Sequence, residues 1–213
     1  MSVDEQTPEV VVLATRNQHK VLELQRILAE AELPVELIDV AEAAARLGIE
    51  IPEVAETGAT FEENAALKSQ AVCLATGLPA LADDSGLCVD ALNGMPGVLS
   101  ARWSGPDADD ASNLRLVIDQ ITAVPEDRRG AEFACAAAFT CPEQGTTVVV
   151  GTLEGHLITS PRGRNGFGYD PIFVPTGYDR TTAEMTGPEK DAISHRGRAF
   201  RRLALCLADR REP

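Results

Sequence analysis

The sequence predicts an α/β fold built on a mixed sheet, and three observations carry that expectation. The chain opens as strand, loop, helix, strand between Val10 and Val40, a βαβ-like start that sets two strands parallel. Two later strand candidates, Phe133–Thr140 and Thr146–Leu153, flank a short Pro/Gly turn and pair antiparallel. Helix candidates over His19–Glu32, Asp109–Ile121 and His195–Ala208 each carry one apolar face. At 213 residues the chain has the size of one domain with a substantial core. Residues 9–208 are expected to form it, with 1–8 and 209–213 as loose ends.

Each element has a local reason. Val10–Ala14 is a continuous apolar run, the pattern of a strand buried on both faces. The polar stretch Thr15–Lys20 follows, and a helix runs from about His19 to Glu32, with Val21, Leu24, Ile27, Leu28 and Ala31 on one face. Pro34 ends it, and Val35–Val40 reads as the second strand. Thr60 and Glu63 have capping-box spacing at the start of a helix over Thr60–Thr76, which Gly77 and Pro79 close. Short strands at Ala80–Ala82 and Leu87–Val89 are expected on either side of an acidic turn, Asp83-Asp84-Ser85-Gly86. Asn93-Gly94 and Pro96-Gly97 mark loops, and Asp109–Ile121 reads as a helix. After the antiparallel pair comes a glycine-rich loop, Arg162–Gly168. A last helix runs from near His195 to Ala208, with Ala199, Leu203 and Leu207 on its apolar side.

Composition narrows the function classes. Nineteen Lys and Arg against 33 Asp and Glu leave a formal charge of −14. That argues against non-specific binding to nucleic acid or anionic membranes, which needs a basic surface. It leaves room for a small phosphate ligand held by a few local cations. The five cysteines include no Cys-x-x-Cys pair, so neither a zinc site nor a disulfide framework is indicated, and a reducing cytoplasm is expected. The first residues are acidic where a signal peptide is basic and then apolar. No apolar run approaches the ~18–20 residues of a membrane span.

Three loops carry the candidate chemistry and are expected to converge on one cleft. Thr15-Arg16-Asn17-Gln18-His19-Lys20 follows a buried strand and opens a helix, where backbone N–H groups and a lysine charge favour phosphate. Thr15 or Asn17 also suits ordinary helix capping. Asp83 and Asp84 put paired carboxylates at a strand end, where α/β proteins bind ligands and metal ions. A Mg²⁺ between Asp84 and phosphates would neutralise charge, and a carboxylate there could deprotonate water. Glu56, and Glu62 and Glu63 on the following helix, could add to the metal shell, Glu63 with lower rank because it is the capping-box partner, while Lys68 offers a phosphate contact. In Arg162–Pro171, glycines let the backbone approach a ligand, and Phe167 and Tyr169 offer flat surfaces for a purine. Lys190 and Ser194-His195-Arg196 add donors at the start of the last helix.

Taken in order, Thr15-x-Asn17-x-x-Lys20, Thr60-Phe-x-Glu-Asn-Ala65 with Lys68, Asp83-Asp-Ser-Gly-Leu87, Pro96-Gly97 with Ser100-Ala-Arg102, Phe167-Gly-Tyr-Asp-Pro171 and Ser194-His-Arg-Gly197 resemble the inosine triphosphate pyrophosphatase family, its bacterial XTP/dITP branch in particular. The resemblance runs from about Val10 to Leu207. It implies an α/β fold with a long mixed central sheet flanked by helices, two lobes with a cleft between them, a Mg²⁺ cofactor and a homodimer. The implied reaction is hydrolysis of ITP, dITP and XTP to monophosphate and pyrophosphate. Residue by residue, it implies that Thr15, Arg16, Asn17, Gln18, His19 and Lys20, with Lys68, hold the triphosphate. Asp84 would be proton acceptor and metal ligand, Glu56 a second metal ligand, and Ser85 a substrate contact. Phe167, Gly168, Tyr169, Asp170, Lys190, His195 and Arg196 would form the base pocket. Arg16 and His19 stand where bacterial relatives often carry glycine or small residues. Two other readings stay open: a related pyrophosphatase acting on pyrimidine nucleotides, and a module that senses nucleotides without cleaving them.

Overall fold

The computed structural model describes residues 9–15, 21, 24–27 and 35–209. Strands β1 (Glu9–Leu13), β2 (Val35–Asp39), β3 (Ala80–Val89), β4 (Gly130–Cys141), β5 (Gly145–Leu157) and β6 (Phe173–Pro175) form one sheet in the order β2-β1-β3-β4-β5-β6. β1 is parallel to both β2 and β3, and the remaining neighbours are antiparallel, so the sheet is mixed. The helices are α1 (Val40–Leu47), α2 (Phe61–Thr76), α3 (Asp110–Ile121), α4 (Gly187–Ile193) and α5 (His195–Asp209). Val21 and residues 24–27 are also helical. The rest of the helix expected over His19–Glu32, the expected loose residues 1–8, and residues 210–213 lie outside the described residues.

Side chains alternate across a strand, and here both faces are covered. On one face Val11, Leu13, Leu81, Ala137 and Phe139 pack against Leu24, Ile27 and the Ala199, Phe200 and Leu203 side of α5. On the other, Val12, Ala14, Ala80 and Ala82 meet Val72 and Cys73 of α2 and Ala43 of α1, while Ala136 and Ala138 meet Ala65. This two-sided burial explains why β1 reads as an unbroken apolar run.

Three expectations need correction. Val40 was assigned to the second strand, but it begins α1, where the Asp39 side chain accepts from Glu42 N at 2.8 Å and Gly48 closes the helix in the left-handed region. Helix α4 likewise falls between the expected elements, capped by Thr186 and Glu189. The third correction has the largest consequence. Asp83-Asp84-Ser85-Gly86 is no turn: β3 runs straight through it, paired with β4 from Ala80–Thr140 to Val89–Ala131. A full ladder outweighs the turn preference of the local composition. Gly86 serves close approach instead, because a Cβ there would overlap Gly97 O and Ser100 Oγ.

β3 is paired unequally on its two sides. β1 reaches only Ala80 and Leu81, so the rest of that edge has no strand neighbour among the described residues. Its N–H groups find local acceptors: Ser85 N bonds Asp84 Oδ1 at 3.0 Å, Leu87 N bonds Ser100 Oγ at 2.9 Å and Val89 N bonds Met95 O at 3.1 Å.

Candidate active site

β1 ends at Leu13 with one parallel neighbour on each side, and the crevice outside the carboxyl end of such a strand is where open α/β sheets bind ligands. A cavity of about 730 Å³ lies there, lined by Ala14 and Thr15 at the end of β1, by Asp84–Gly86 on the open edge of β3, and by side chains from both helical layers.

Successive residues of β3 point to opposite faces, so the two adjacent acids part company. Asp84 faces α2. Asn64 Nδ2 donates to its Oδ2 at 2.9 Å, and Lys68 Nζ stands 3.7 Å from its Oδ1. Asn64 and Lys68 are four apart on α2 and so share a face. The Asn64 amide is oriented from behind, because its Oδ1 accepts from Gly58 N at 2.7 Å. Lys68 Nζ also lies 2.7 Å from Glu56 Oε1, and Arg102 Nη1 lies 3.4 Å from Glu56 Oε2. Burial works to lower the Lys68 pKa, but the carboxylates of Asp83, Asp84 and Glu56 outweigh it and hold the amine above its ordinary value.

A magnesium ion fits this end of the cavity. Glu56 and Asp84 already direct hard carboxylate oxygens at one cation, the Lys68 ammonium. Among the described residues no group of three or more His, Cys, Asp or Glu is placed to hold a metal. Two carboxylates suffice for Mg²⁺, which usually completes its shell with water and substrate phosphates. Glu63 is not among the residues lining the cavity, and its Oε2 accepts from Ala59 N at 2.6 Å at the start of α2.

Asp83 faces α5. Arg196 Nε donates to its Oδ2 at 3.2 Å, Arg196 Nη2 donates to Ser85 Oγ at 2.7 Å, and Ser85 Oγ donates to Asp83 Oδ2 at 3.3 Å. The Arg196 guanidinium carbon stands 5.6 Å from the centre of the Phe167 ring, and Lys190 Nζ stands 5.0 Å from it. His195 stacks on Phe133 with ring centres 4.9 Å apart.

The glycine-rich loop is held from within. Asp170 takes Lys190 Nζ at 2.6 Å and Phe167 N at 2.9 Å on Oδ2, and Thr182 Oγ1 at 2.7 Å on Oδ1. Gly166, at φ +74°, passes so close to the Asp170 carboxylate that no Cβ fits. A second tie comes from Gly168 N to Asp110 Oδ2 at 2.8 Å, at the start of α3. The two aromatics expected to offer flat surfaces differ in placement. Tyr169 packs into the core with Leu87, Val117 and Ile172 and donates to Ser100 O at 2.8 Å; burial, then Asp110, push its phenol well above the usual pKa. Phe167 is the one set among the cavity's cations.

Of the residues expected at the site, Thr15, Glu56, Lys68, Asp84, Ser85, Phe167, Gly168, Tyr169, Asp170, Lys190, His195 and Arg196 all line this one cavity. Arg16, Asn17, Gln18, His19 and Lys20 lie outside the described residues. Sequence reasoning assigned no role to Asn64, Arg102 or Asp110. Asn64 and Arg102 belong to the motifs quoted above, and the spacing of Asn64 from Lys68 was the signal for its place.

The sequence pattern of the Ham1 family matches residues 11–205. A dITP/XTP pyrophosphatase of Streptomyces coelicolor is 55% identical over 91% of this chain and 94% of its own length. A HAM1 protein from Coxiella burnetii superposes with a TM-score of 0.83 at 41% identity, covering 94% of this chain and 99% of the other. The nucleoside-triphosphatase, or dITP/XTP pyrophosphatase, of Mycobacterium abscessus does so with a TM-score of 0.74 at 51% identity, over 91% of this chain and 98% of the other.

Proposed function

The chain belongs to the Ham1 family, and from that premise we propose that it hydrolyses ITP, dITP and XTP to the nucleoside monophosphate and pyrophosphate. The observation that carries the reading is one cavity with two chemically distinct ends: Glu56, Lys68 and Asp84 at one, Phe167, Lys190 and Arg196 at the other. The first suits a polyphosphate, the second a base with hydrogen-bond acceptors. Such a pool-cleansing activity keeps deaminated purines out of DNA and RNA.

Thr15–Lys20 and Lys68 bind the triphosphate. Glu56 and Asp84 would hold Mg²⁺, which when bound supplies neutralisation of phosphate charge. Asp84 accepts the proton of the attacking water. Its carboxylate is aimed for this by Asn64 and the Ser85 N–H. Phe167 stacks on the purine, and Arg196 donates to its 6-oxo group, with His195 and Lys190 beside it. Adenine presents an amino group there, donor against donor, and an unpaired buried polar group costs about 1–3 kcal/mol. Sites built on such pairing discriminate strongly. By resemblance to the pyrophosphatase family, the working form is a homodimer in the cytoplasm, each protomer one domain over residues 9–208.

Product analysis with Mg²⁺ and ITP, XTP, ATP, GTP and UTP offered separately tests the proposal. Pyrophosphate and monophosphate from ITP and XTP, with little from ATP, are expected. Orthophosphate would place the cut at the γ phosphate and overturn the reading. ITP bound without turnover would leave a sensing module in its place.

A further inference from the structure

We propose that Asp83 is a positioning residue for base selection: it holds the Arg196 guanidinium at the angle from which Arg196 meets the purine 6-oxo group. This rests on the pyrophosphatase reading above. Asp83 does not itself line the cavity, whereas Asp84, Ser85 and Arg196 do, so it acts on a ligand only through its neighbours.

The geometry argues for aim rather than mere attachment. A guanidinium is planar, so fixing Nε on Asp83 and Nη2 on Ser85 fixes the orientation of the whole fork. Ser85 in turn donates to the same Asp83 oxygen, Oδ2, which closes a three-membered network around one acceptor atom. Both charged side chains are buried, at 3% and 0% exposure, where a charged hydrogen bond is strong and directional. The plane so fixed lies beside Phe167, the ring assigned to the base. The pleat of β3 therefore divides labour between two adjacent acids. Asp84, on one face, serves the phosphate end, and Asp83, on the other, serves the base end through Arg196.

A displacement of Arg196 by about 1 Å is enough to cost about 100-fold in rate for a substrate that depends on it. Adenine nucleotides make no favourable contact with that donor and have little to lose. In Asp83→Asn, kcat/KM for ITP is expected to fall about 100-fold while that for ATP changes little, so the ITP to ATP ratio collapses. Inhibition by IMP weakens, and inhibition by pyrophosphate does not change. Asp83→Glu, which keeps the charge, restores part of the ratio. A purely structural role would lower both substrates together, and parallel losses or an unchanged ratio overturn the proposal. Removing one partner of a buried pair can unfold a protein. If Asp83→Asn does not fold, Asp83→Glu carries the test, since it keeps the charge opposite Arg196 and moves the guanidinium by the length of one methylene. A reduced ITP to ATP ratio supports the proposal there, and an unchanged one overturns it. A wild-type protein that releases no pyrophosphate from ITP overturns the pyrophosphatase reading and this inference together; release with an unmoved ratio overturns the inference alone.

Discussion

Asp84 and Lys68 are neighbours in the cavity wall, and the Asp84 carboxylate is one of three that raise the pKa of the Lys68 amine. Asp84 accepts two hydrogen bonds and faces an ammonium at 3.7 Å, so its carboxylate is held in one orientation, as the role of proton acceptor proposed for it requires. Asp84→Asn keeps the shape and removes the base. Turnover of ITP is expected to drop by about 10²–10⁴-fold, the range for general base catalysis, with an unchanged circular dichroism spectrum. Lys68 adds a pH prediction. Its pKa in the folded protein is raised, so the stabilisation of the protonated form is complete below the ordinary lysine value of 10.5 and is lost only as pH rises through the higher folded value. An alkaline limb in KM that disappears in Lys68→Ala should therefore begin above that value. The same variant loses a charged hydrogen bond worth about 1.5–3 kcal/mol, which reads as a 10- to 100-fold rise in KM for ITP.

At the scale of elements, the site depends on how closely α5 lies against β5. A Cβ on Gly151 would overlap His195 O and Ala199 N, backbone atoms that cannot swing aside. Gly151→Ala should therefore cost about 1–3 kcal/mol, seen as a lower melting temperature. Because α5 starts with His195 and Arg196, the displacement should also raise KM for ITP while leaving inhibition by pyrophosphate nearly unchanged. Much of the element pattern was legible in the sequence: β1 is the apolar run that two-sided burial demands, and α3 carries its buried residues Asn113, Val117 and Ile121 at helical spacing. The Asp83–Gly86 segment was not. Asp, Ser and Gly are turn residues by local preference, and only the long-range ladder with β4 makes them a strand. The same limit hid the different placements of Phe167 and Tyr169. They are two residues apart in one loop and both line the cavity, yet only tertiary packing sets the Phe167 ring among its cations and packs the Tyr169 ring into the core behind its wall. Candidate site residues were easier to pick out, since their chemistry is written in residue type even where their orientation is not.

For the molecule as a whole, a surplus of fourteen negative charges repels itself, and salt should relieve the strain. Raising sodium chloride from low to physiological strength is expected to raise the melting temperature. A gain of about 1 kcal/mol would read as about 2–4 °C in a chain of this size. The open edge of β3 has a consequence at this scale too. Beyond Leu81 that edge has no strand partner among the described residues, so it is a template for any extended peptide that displaces the groups now bonded to it, including a second unfolded copy of this chain. Asp84, Ser100 and Met95 occupy the very N–H groups such an intruder would need. Solubility and access are thus secured by the same few atoms. Ser100→Ala should turn the substrate doorway into a seed for assembly, visible as light scattering that grows during prolonged incubation and that saturating substrate suppresses.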